Sequence, residues 1–208
     1  IGAIHLLKFG NLDGVSMVRG PGSAFLFAPV LFLFGRNPWG IKILLHLLAI
    51  ACVPVSYRIG WQLGRNRWIA LASGLATTLS PDLFLYSNYI MSDLPNIFFV
   101  LVFCTFLISA LETLEFRWII AAALMGSFAT LFRSENIALL IIGAGALAAD
   151  MIWRWRMGSL KNLTWNLSAV GLASIIAVLP ILWWSAHNQR VYGFFGLSNY
   201  AGEVLYDG

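Results

Sequence analysis

Two short strings and one arginine hold most of the chemistry this sequence has to offer. Met91-Ser92-Asp93-Leu94-Pro95 sets a carboxylate at the mouth of an apolar stretch, and Arg133-Ser134-Glu135 is wedged between two others. Arg19 stands just ahead of Pro21-Gly22 and a further apolar run. Charges beside hydrocarbon are costly, so those that persist there are functional suspects by default. A guanidinium can grip a phosphate through paired hydrogen bonds. A carboxylate can take a proton, orient a hydroxyl or hold a cation. Simpler uses stand beside these. Arg19 could anchor to lipid headgroups, and Asp93 could cap a helix beginning at Leu94-Pro95. Arg133 and Glu135 could be an ion pair that satisfies a sunken turn. Three dispersed His and two Cys give no metal-ligand spacing.

The elements that must position these residues are apolar helices. Of the 208 residues, 60% are hydrophobic and 11% charged, with a mean hydropathy of +0.81. That composition excludes a soluble domain. About six runs approach the ~20 residues a bilayer-crossing helix needs: roughly 39–60, 66–80, 94–114, 118–132, 136–153 and 164–187. Phe25–Phe34, which follows Pro21-Gly22, is shorter and reads as an interfacial helix. Trp39, Trp61, Trp68, Trp118, Trp153, Trp155, Trp183 and Trp184 fall near the expected span ends, as in an aromatic belt. Cys52 and Cys104 lie inside apolar spans, where they serve as small hydrophobes. The fold class is an all-α polytopic transmembrane bundle.

The net charge of +4 is not a nucleic-acid footprint. Arg58, Arg65 and Arg67 follow the first span, and Arg154, Arg156 and Lys161 follow the fifth. Alternating spans put both clusters on one side, cytoplasmic by the positive-inside tendency. The turn from Glu112 to Arg117 should share that side yet has no basic excess. Asp82, Asp93, Glu135, Glu203 and Asp207 go to the opposite side. The spans at 66–80 and 118–132 are short, so their outer ends should be sunken, with the charged strings lining a cavity open to the outer leaflet. Pro54 should kink the first span. Gly60 and Gly64, at GxxxG spacing, suggest close packing of one helix pair.

The chain reads as a single transmembrane domain: 1–38 an external segment with the interfacial helix, 39–187 the bundle, 188–208 the start of an external region. Ile1 opens the sequence without Met or signal peptide, and Gly208 closes it in a polar stretch. A further helix is expected before Ile1 and more chain after Gly208.

The strings also resemble a known group. Arg19-Gly20-Pro21-Gly22-Ser23, followed by Phe25-Leu26-Phe27-Ala28-Pro29 and Leu33-Phe34-Gly35, resembles the opening of GT-C class membrane glycosyltransferases. More narrowly, it resembles the relatives of the protein O-mannosyltransferases and of the lipid A aminoarabinose transferase. Ser80-Pro81 to Ser87 with Ser92-Asp93-Leu94-Pro95, then Thr130-Leu131-Phe132-Arg133-Ser134-Glu135, are similar to two of its connections. His187-Asn188-Gln189-Arg190 with Gly193 and Ser198-Asn199 is similar to a later outward stretch of bacterial members. Gly20-Pro21 stands where the group often has two prolines. The acidic pair that supplies the group's catalytic base should fall before Ile1, and Asp13 is too close to Arg19 to replace it.

The resemblance implies an inverting transfer of a sugar from a polyprenyl-phosphate carrier to an acceptor hydroxyl on a protein, lipid or glycan. It would occur at the non-cytoplasmic face of a prokaryotic plasma membrane. Asp93 is then the catalytic candidate. Arg19, Arg133 and Glu135 are donor-phosphate candidates, and Tyr86 and Asn88 sugar contacts. No cofactor is implied, since the lipid-linked sugar is a substrate; a divalent cation stays open. Without its base the fragment alone should be inactive. A transporter or flippase, or a non-catalytic assembly subunit, would share the same polytopic outline.

Overall fold

The computed structural model describes residues 2–10, 20–35, 37–159 and 163–198. Arg19 lies outside them, as do Asp13, Lys161 and Asn199. The described residues are almost wholly helical: α1 (Gly2–Phe9), α2 (Gly22–Phe34), α3 (Pro38–Gly64), α4 (Arg67–Thr78), α5 (Pro81–Asn88), α6 (Asp93–Thr113), α7 (Phe116–Phe132), α8 (Ile137–Arg156) and α9 (Leu163–Tyr192). A single 3-10 turn, Ser134–Asn136, joins α7 to α8.

Local chemistry sets several helix starts. Asn37 and Asn66 each accept a hydrogen bond from the backbone N–H two residues on, at 3.0 and 2.8 Å, satisfying a donor that has no partner within the helix. Pro38 and Pro81 occupy first-turn positions, where the missing N–H costs nothing. α3 runs as one continuous helix through Pro54. Several hydroxyls buried within the helices bond to the carbonyl one turn back, as Thr105 does to Leu101 (3.0 Å) and Thr130 to Gly126 (2.8 Å). Such bonds let polar side chains sit in an apolar bundle.

All six expected spans fall on helices, but four have the length and apolarity to cross a bilayer: α3, α6, α9 and α8 with its preceding turn. α4, with 12 residues, rises about 18 Å and joins α5 at a 45° bend, so the pair makes one broken span or a re-entrant unit. α7, with 17 residues, rises about 25 Å, short of the ~30 Å hydrocarbon core. α5 itself was unforeseen, because its sequence reads as a loop.

Between 17 and 33% of the residues in the apolar windows of the four long spans are buried by protein. Leu75, Ile141, Ile142 and Ile175 are each at least 60% exposed. In water that surface would be a liability; in lipid it is the ordinary outer face of a span. α3 and α4 pack closely where Gly60 faces Ser73 and Ala70, and Gly64 faces Ile69. Any side chain at those glycines would push the pair apart.

Contacts sort the charges by end. Arg65 pairs with Glu112, and Arg154 donates to the Leu111 carbonyl, so the ends of α3, α6 and α8 meet. Both basic clusters therefore share one end as far as they are described. The acids of the 112–117 turn are neutralised there, Glu112 by Arg65 and Glu115 by Arg117. Asp93 lies at the other end of α6, whose 21 residues span about 31 Å.

Candidate functional site

The end of the bundle away from the basic clusters holds a polar hollow of about 230 Å³. Gly20, Ser92-Asp93, Thr130, Arg133-Ser134-Glu135 and Leu197-Ser198 line it. These residues come from the entries to α2 and α6, the α7–α8 break and the segment after α9. Strings separated by more than a hundred residues thus share one wall.

Arg133 is the hub. Its backbone is extended (φ −143°, ψ 122°), which ends α7 and turns the side chain toward the neighbouring helix starts. Nη1 donates to Asp93 Oδ1 at 2.8 Å, and Nε donates to Glu135 Oε2 at 3.2 Å. The hydrogen bond it donates to Glu135 pushes the already high pKa of the guanidinium further up, so Arg133 stays cationic. Nη2 has no hydrogen bond among the described residues and is left for another acceptor. The side chain is about half exposed, so these pairs set geometry more than stability. Each charge also suits its helix end. Asp93 sits in the first turn of α6 and Arg133 follows the last turn of α7, each facing the complementary end of the helix dipole.

Amides hold the break in place. Asn136 Nδ2 donates to the Ala129 carbonyl at 2.8 Å and makes a short bond to Asn96 Oδ1, so one amide serves the end of α7 and the start of α6. Gly20 and Gly22, at the start of α2, are pressed against the same place. A Cβ on Gly20 would collide with the Leu131 carbonyl, and one on Gly22 would come within 2.9 Å of the Phe132 ring. That contact gives a steric reason for glycine where a double proline is common. From α9, buried Trp184 donates to the Leu197 carbonyl (3.0 Å) and buried Asn188 to the Gly196 carbonyl (2.6 Å). Ser134 and Ser198 meet hydroxyl to hydroxyl at 3.1 Å and close that side.

Asp93, Arg133 and Glu135 are therefore brought together. Arg19 is outside the described residues, although Gly20, its neighbour in sequence, lines the hollow. Tyr86 and Asn88 are elsewhere. Tyr86 packs against the core of Phe27, Leu83 and Leu94, and the Asn88 amide donates to Phe84 within its own helix at 2.8 Å. Neither lines the hollow. His46 bonds to the Lys42 carbonyl, and His187 stacks on Trp184 at 4.9 Å; neither lines it either. Sequence reasoning missed Asn96, Asn136, Trp184 and Asn188. Asn96 and Asn136 left a usable signal, an amide near the start of an apolar run. Among the described residues no three His, Cys, Asp or Glu cluster as metal ligands do.

A family model for dolichyl-phosphate-mannose-protein mannosyltransferase matches residues 18–184. The chain belongs to that family. It is accordingly a membrane glycosyltransferase of the GT-C type, and the matched span runs from just before Gly20 to Trp184. No curated protein and no solved structure gives a significant match.

The Ser134–Ser198 contact yields a direct check. A S134C/S198C pair in membranes should close to a disulfide under mild oxidation, read as loss of both thiols to maleimide. Persistent double labelling under oxidation would contradict the placement of the segment after α9.

Proposed function

We propose that the protein moves a sugar from a polyprenyl-phosphate carrier to an acceptor hydroxyl, with inversion, at the hollow beside Arg133. The observation that supports this reading most is the free edge of a guanidinium fixed between two carboxylates at the membrane-surface end of the bundle. A carrier lipid must keep its tail in the bilayer and its phosphate at the interface, and this is where such a phosphate would dock.

The reaction asks little general-acid catalysis, because the leaving group is already a phosphate. Attack by the acceptor oxygen on the anomeric carbon breaks the bond to phosphate, and the bonding pair leaves on the phosphate oxygen. The acceptor's proton goes to a carboxylate. Fixed cations stabilise the charge that grows on the phosphate, an effect that is strong where water is scarce. Arg133 Nη2 is the cationic donor we assign to that oxygen.

The charge balance calls for a second cation. Asp93, Glu135 and Arg133 together carry one net negative charge, which would repel a phosphate. Arg19, one residue before the hollow-lining Gly20, is our candidate for the balancing cation; a divalent ion would serve the same end. The starts of α2, α6 and α8 add the positive ends of three helix dipoles. Asp93 holds Arg133 in line and could orient a sugar hydroxyl or assist the base. By the positive-inside tendency the basic end is cytoplasmic and the hollow faces outward.

In the intact protein, Asp93→Asn should lower sugar transfer from a radiolabelled lipid-linked donor by about a hundredfold or more, with insertion and helix content unchanged. Near-normal turnover would remove Asp93 from the site. Arg19→Ala should weaken donor binding more than acceptor binding, seen as a rise in donor KM. An unchanged donor KM would make Arg19 a headgroup anchor.

A further inference from the structure

Toward the basic end of the bundle, α3 and α6 leave a groove of about 410 Å³ between them. Pro54, Val55 and Val102 form its deeper, apolar wall. Phe106 stacks on Trp118, with ring centroids 5.6 Å apart, and supplies a flat aromatic side. Thr105 also lines the groove, but its hydroxyl is bonded to the Leu101 carbonyl. Arg58, one turn beyond Pro54 toward the basic end, is the cation of the groove.

Among the described residues, Arg58 is an uncompensated charge. The acids of that end are taken, Glu112 by Arg65, Glu115 by Arg117 and Asp150 by Arg154. Among the described residues, no carboxylate lies within ion-pair distance of Arg58. An exposed guanidinium above an apolar slot, at the level where a span leaves the hydrocarbon, is complementary to a molecule with an anionic head and a hydrocarbon tail. Basic pockets between spans are recognised on this pattern.

We propose that this groove seats an anionic phospholipid of the leaflet at the basic end. Its phosphate would sit on Arg58 and one acyl chain would lie over Pro54, Val102 and Phe106. Such a lipid would bind across the seam of α3 and α6, against the end where Gln62 of α3 bonds to Ser109 of α6 at 2.8 Å. The site is about one span's length from Arg133, so it stands or falls independently of the transfer reaction.

Native mass spectrometry of the intact protein, titrated with dioleoyl phosphatidylglycerol or dioleoyl phosphatidylcholine, tests the proposal. Wild type should prefer the anionic lipid, and Arg58→Gln should weaken that lipid by about fivefold and abolish the preference. Arg58→Lys should retain most of the preference. Val102→Trp, which fills the slot but leaves Arg58, should lower binding of the anionic lipid. Arg67→Gln and Arg156→Gln should match wild type. Equal losses in those two variants would reduce the effect to diffuse surface charge and overturn the site. A preference that survives Arg58→Gln, or full binding in a folded Val102→Trp protein, would also overturn it.

Discussion

A helix too short for its bilayer sets the terms for the rest of this structure. α7 rises about 25 Å, less than the hydrocarbon core it enters. Its last carbonyls and the turn after it therefore need partners supplied by protein, since lipid offers none. Asn136 answers one of these needs by donating to the Ala129 carbonyl. Gly20 covers another part of the break by fitting closely over Leu131. Trp184 and Asn188 complete the wall by holding Gly196 and Leu197. The hollow around Arg133 is what remains once the break has been satisfied on every other side.

Helix polarity then explains why the charges have the signs they do. Anionic side chains gather where helices begin and the cation where one ends, which is the favourable pairing with the backbone dipoles. A purely structural account could stop there, because exposed pairs of this kind add little stability. It leaves the unused edge of the guanidinium without a role. The proposed sugar-phosphate donor would give it one, as the acceptor of that free N–H edge. The opposite end of the bundle repeats the logic in basic form, with arginines outnumbering the acids that neutralise them.

Much of this was legible in the residues because membrane constraints are severe. Apolar runs of nearly twenty residues have few outcomes other than helices, and the six expected segments all proved helical. The convergence of Asp93, Arg133 and Glu135 was also readable, since costly charges at alternate span ends must share one side. What the residues could not give was pairing at atomic range. That Gly20 packs on Leu131, or Asn96 meets Asn136, follows from which helices are neighbours, and a single sequence does not encode that openly. α5 was missed because Ser80-Pro81 and Tyr86-Ser87-Asn88 have the composition of a loop, while Pro81 at the first turn and burial of Leu83 decide for a helix. Tyr86 packs against the core and does not line the hollow, which likewise follows from helix neighbours.

Substituted-cysteine labelling in sealed membranes, with a reagent that cannot cross the bilayer, tests the shared hollow most directly. Single cysteines at Ser92, Ser134 and Ser198 should react from one and the same face, and a cysteine at Ser159, beside the basic end of α8, only from the other. Labelling of Ser92→Cys and Ser134→Cys from opposite faces would contradict the account at its root.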